Sequence, residues 1–69
     1  MPSTKQHALL FDHEIEPVAT HVEDRNPELA ILLRDEKNRR GWVAGKIAFE
    51  VCPADGEDID EALHAIGAL

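Results

Sequence analysis

The side chains best suited to hold a metal ion or to activate a nucleophile are His7, His13, His21, His64 and Cys52. Successive histidines lie six, eight and forty-three residues apart. A structural zinc site draws on close Cys/His pairs, and no such pair occurs here. On one straight strand, His7 and His13 would be about 20 Å apart at roughly 3.3 Å per residue, too far to share an ion. Packed or solvated histidines are the simpler reading, and neither a metal nor another cofactor is expected. Cys52 could serve as a nucleophile beside a histidine. No base is identifiable for it, and an isolated cysteine is commonly a small core hydrophobe.

The acids Asp55, Glu57, Asp58, Asp60 and Glu61 invite a calcium reading. Their spacing lacks the twelve-residue loop with its central Gly and final Glu. Helix capping explains them better. Asp58 is a good N-cap residue, and Glu61 three positions on extends a capping box. Asp60 and Glu61 then fall in the first turn, where the helix dipole favours anions. The basic cluster "KNRR" holds Lys37, Arg39 and Arg40, and reads as a solvated hairpin tip. Trp42 follows after Gly41. Trp beside Arg is the composition of an interface hot spot, while a lone Trp is equally at home in a core. No catalytic constellation emerges, so a non-enzymatic role is expected.

The elements that must position these residues are short. "HALLFDHEIE" alternates: Leu9, Phe11 and Ile15 on one side with His13, and Asp12, Glu14 and Glu16 on the other. Pro17 ends or bends this element. Val18 to Val22 reads equally as a short strand or a turn of helix begun by Pro17. "EDRNPE" reads as a turn. "ELAILLRDE" is a short apolar run in which strand and helix compete, and a strand fits the hairpin assigned downstream. "WVAGKIAFEV" is rich in strand formers. Val43, Ile47, Phe49 and Val51 share one face; Trp42, Ala44, Lys46, Ala48 and Glu50 share the other. The last element is a helix from Asp58, with Ile59, Ala62, Leu63 and Ile66 at i, i+3, i+4 and i+7.

The expected fold is therefore α+β: a three- or four-stranded antiparallel sheet with one C-terminal helix packed on one face. Residues 1–6 read as a flexible N-terminus and residues 7–69 as a single small domain. A 69-residue chain buries only about 60% of its unfolded surface, so a partner or a homodimer would help it.

Fourteen acids against seven Lys and Arg give a formal charge of −7. Direct nucleic-acid binding is disfavoured, because phosphate contacts need clustered cations. A protein with a basic surface would be attracted. The lone cysteine argues against a disulfide framework and for a reducing cytoplasm. The sequence shows no signal-peptide pattern and no apolar run long enough to span a bilayer.

Residues Ile31 to Leu69 resemble the N-terminal domain of HicB-like antitoxins. "AILLRDEKNRRGWVA" looks like that family's first hairpin, and "CPADGEDIDEALHAI" like its third strand, turn and helix. The interval from Trp42-Val43 to Glu61-Ala62-Leu63 fits without a gap, with Cys52 and Gly56 at expected places. Glu50-Val51 stands where the family has Pro-Gly, and residues 1–28 have no counterpart. The resemblance implies a partial ribonuclease-H-like sheet without nuclease activity, and a small basic RNA-cleaving toxin as partner.

Taken together, the residues point to a small acidic protein that binds and neutralises another protein, antitoxin-like or like a phage-type anti-defence inhibitor. A regulatory or assembly subunit of an enzyme complex is the alternative. The expected partner-binding residues are Trp42, Glu50, Asp55, Glu57, Asp60, Glu61, Arg39 and Arg40.

Overall fold

A computed structural model describes residues 6–41 and 45–68. The elements run β1 (Gln6–Phe11), α1 (Asp12–Val22), α2 (Pro27–Arg40), β2 (Lys46–Val51) and α3 (Pro53–Ala65). β1 and β2 pair antiparallel, with Gln6 opposite Val51 and Phe11 opposite Lys46. The fold is α+β, with a two-stranded ribbon and three helices. This corrects the expected three- or four-stranded sheet with one helix. Two segments that alternate or run apolar in sequence are helical in space.

The first correction falls at Phe11. The strand stops there, and Asp12–Val22 is helix. Glu14 reaches back so that its Oε1 accepts the Phe11 N–H at 2.8 Å, the reciprocal half of a capping box. Ile15, Val18, Ala19 and Val22 then form a buried stripe at i, i+3, i+4 and i+7. The strand's parity is also reversed. Leu10 is fully buried, whereas Leu9 is 52% and Phe11 37% exposed. Ile15 had set the expected parity, but it belongs to the helix. Pro17 sits inside α1 rather than ending it.

The second correction is α2. Asn26 caps it, its Oδ1 accepting the Leu29 N–H at 3.2 Å. Pro27 takes the first helical position, where its missing N–H costs nothing. Glu28 sits in the first turn and Lys37, Arg39 and Arg40 in the last, matching the helix dipole at both ends. Gly41 closes the helix at φ 69°, donating its N–H to the Lys37 carbonyl. "KNRR" is thus a helix C-terminus and not a hairpin tip. Leu29, Ala30 and Leu33 are buried.

β2 follows the expected alternation: Ile47, Phe49 and Val51 are buried, and Lys46, Ala48 and Glu50 are exposed. α3 begins five residues before the expected Asp58 cap. Cys52 is its N-cap residue and Pro53 its first residue. Ile59, Ala62 and Leu63 are buried as expected, while Ile66 lies past the helix and is 39% exposed. α3 ends in a Schellman motif: Gly67, at φ 79°, donates to His64, and Ala68 to Leu63.

α1 packs against α2 and α3, and one core joins all three helices to the inner ribbon face. Arg34 of α2 braces the helix pair, with Nε 3.1 Å from Glu16 and an Nη 3.3 Å from Glu23.

Candidate interaction surface

The expected binding residues divide among four places. Trp42 lies outside the described residues. Arg39, Arg40 and Glu50 come together, with Leu32 and Glu36, around a groove of about 340 Å³ between α2 and β2. Glu57 and Asp60 line a second groove, of about 410 Å³, between α3 and β1. Asp55 and Glu61 are engaged in holding the fold.

The engagement of Asp55 and Glu61 comes from the four-residue link between α1 and α2. Asn26, half-buried, donates its Nδ2 to Asp55 at 2.7 Å and to Asp58 at 3.2 Å. Its Oδ1 is the α2 cap, so one amide binds two helices together. Arg25 beside it contacts Glu61 at 2.8 Å and Asp58 at 3.1 Å. Much of what reads in sequence as a solvated acidic turn is a set of acceptors for Arg25 and Asn26.

In the first groove, Glu36 accepts from Arg39 at 2.7 Å and from Arg40 at 3.1 Å. Hydrogen bonds from Arg39 and then Arg40 hold the Glu36 carboxyl below the ordinary carboxylate range. The two arginines are therefore partly neutralised in place. Glu50 projects from the outer ribbon face, across from His7.

In the second groove the floor is apolar and the rim acidic. Ala8 and Leu9 of β1 line it together with Ile59 and Leu63 of α3, and Glu57 and Asp60 are its exposed carboxylates. Neither carboxylate has an ion-pair partner among the described residues. Gly56 brings the elements close: a Cβ there would collide with Gln6 Nε2.

The outer ribbon face carries Leu9, Phe11 and Ala48. Phe11 stacks on His13 with centroids 5.5 Å apart, and Lys46 Nζ lies 5.1 Å from its ring centre. His13 is thus an exposed stacking partner, not a residue of a strand's apolar side. Cys52 is exposed, not a core residue. No cluster of three His, Cys, Asp or Glu side chains able to hold a metal ion occurs among the described residues. No helix among them is long and apolar enough to cross a membrane.

Sequence reasoning missed Leu9, Leu32 and Glu36 as groove residues. Leu9 was legible only through the strand's true parity. The other two required α2 to be read as a helix, for which the Asn26-Pro27-Glu28 start was the available signal.

No family model, curated protein or solved structure matches this chain.

Proposed function

We propose that this is a small, acidic, non-enzymatic protein that binds and neutralises a partner protein bearing a basic surface. The observation that carries the reading is the apolar-floored groove between β1 and α3, rimmed by Glu57 and Asp60. Interfaces combine an apolar centre with a polar rim, and carboxylates with no ion-pair partner among the described residues steer a basic surface toward it. The formal charge of −7 extends that attraction beyond contact distance. An antitoxin blocking a basic RNA-cleaving toxin and a phage-type inhibitor of a defence complex are two versions of this role, and they differ in partner.

A second reading, a regulatory or assembly subunit of an enzyme complex, draws on α2. Ile31 is 67% and Leu32 39% exposed there, and permanent assemblies favour apolar contacts.

Affinity capture from the source organism at low and moderate salt tests both. The first reading expects a basic protein whose retention falls steeply as salt rises, and whose own activity drops when this protein is added back. Retention of a multisubunit enzyme with little salt dependence favours the second. Capture of nothing at either salt sinks the first.

A further inference from the structure

Building on the proposed binding role, we infer that β1 accepts an extended, basic segment of a partner as an added strand, seated in the groove against α3. The inference begins with the ribbon. Among the described residues β1 pairs only with β2, so its second edge carries no strand. Alternate residues of a strand direct their N–H and C=O groups away from the neighbour already bound. Those groups form a ready template for another chain.

Natural edge strands are blunted by charges, prolines or bulges. β2 carries Lys46 and Glu50. β1, reading "QHALLF", carries no proline and no Asp, Glu, Lys or Arg. Its edge is the less defended of the two. The groove beside it is lined by consecutive β1 residues, Gln6 to Leu9, which places the cavity along the strand rather than over one face.

Charge decides the occupant. A second copy of this chain would bring another −7 and another Glu57 and Asp60 to the same rim. Like charges at such spacing oppose that pairing. A segment alternating Lys or Arg with apolar residues satisfies both parts of the groove. Its apolar side chains meet Leu9 and Leu63, and its cations reach Glu57 and Asp60. The four groove residues Gln6 to Leu9 offer a docking length of about 13 Å at roughly 3.3 Å per residue, and Phe11 at the far end already gives its N–H to Glu14.

The test uses the whole protein and a fluorescent synthetic peptide of about eight residues alternating Val and Lys. Two further peptides carry N-methyl groups on alternate backbone nitrogens, one series along each edge. At about 0.15 M salt the parent peptide should bind and shift the amide resonances of Gln6–Leu9 and of α3. One N-methylated peptide should bind like the parent, and the other should lose about tenfold or more. The Glu57→Lys/Asp60→Lys variant should weaken parent binding by about tenfold or more. The control Asp24→Lys/Glu28→Lys, with the same change in net charge, should not. Circular dichroism establishes that both variants are folded.

Equal binding of all three peptides would mean charge attraction without strand pairing, and would overturn the inference. So would equal weakening by the two charge variants, or no binding of the parent. A basic partner captured from the source organism whose affinity is unchanged by Glu57→Lys/Asp60→Lys would end the inference while leaving the binding role intact.

Discussion

Asn26 is the side chain that joins α2 to α3 through its own amide. It caps α2 and donates to Asp55 and Asp58 of α3. Losing an N-cap costs about 1 kcal/mol, and hydrogen bonds to charged groups about 1.5–3 kcal/mol. The site is only half-buried, which discounts their sum, so Asn26→Ala should lower unfolding free energy by about 2–3 kcal/mol in a urea titration. Asn26→Asp keeps the cap acceptor but sets a third carboxylate against two. It should be less stable than the alanine variant at neutral pH and recover as the solution is acidified, since protonation relieves the repulsion. Glu36 offers a second residue-scale test. Its carboxyl is held below the ordinary range by Arg39 and Arg40. A depressed folded pKa means its contribution is present above that range and is lost as pH falls through the folded value. A carboxyl carbon NMR titration should find Glu36 titrating below the exposed glutamates. Arg39→Gln/Arg40→Gln should return it to them.

At the scale of elements, β2 and the core stripe of α3 were legible because their patterns are long enough to show a period. Ile47, Phe49 and Val51 alternate cleanly, and Ile59, Ala62 and Leu63 sit at helical spacing. α2 was not legible by period. Its Leu29 to Leu33 run is apolar all round, although only Leu29, Ala30 and Leu33 are buried. Only the capping signals separate it from a strand. β1 failed for a different reason: Leu9 and Leu10 are adjacent, so either face could be the inner one. Truncation decides between them. Leu10→Ala should cost about 2–5 kcal/mol by thermal or urea unfolding, as for a fully buried leucine. Leu9→Ala should stay within about 0.5 kcal/mol. The opposite ranking would restore the parity read from the sequence.

For the molecule as a whole, the sequence established acidity and the α+β class, while the number of strands and the pairing of the acids depended on contacts across the chain. Glu57 and Asp60 line the groove, whereas Asp55, Asp58 and Glu61 are held by Arg25 and Asn26, with Glu61 still 55% exposed. Nothing in their local sequence separates the two groups, because the residues that select them lie some thirty positions earlier. The whole-molecule consequence concerns self-association. On the inferred role of the β1 edge, like charges at its rim oppose pairing with a second copy. Sedimentation should show a monomer at low salt and growing association as salt screens the repulsion. Glu57→Gln/Asp60→Gln should shift that onset to lower salt; an unchanged onset would mean that these carboxylates do not guard the edge.

The position of Asn26 also bears on how the protein ages. An asparagine side chain deamidates when the next backbone nitrogen loses its hydrogen and closes a succinimide ring. The nitrogen following Asn26 belongs to Pro27 and carries no hydrogen. The one amide that ties two helices together is shielded from the reaction that would turn it into a repelling carboxylate. Asn38, followed by Arg39, has no such shield. In protein stored warm at mildly alkaline pH, peptide mass spectrometry should find deamidation at Asn38 and not at Asn26.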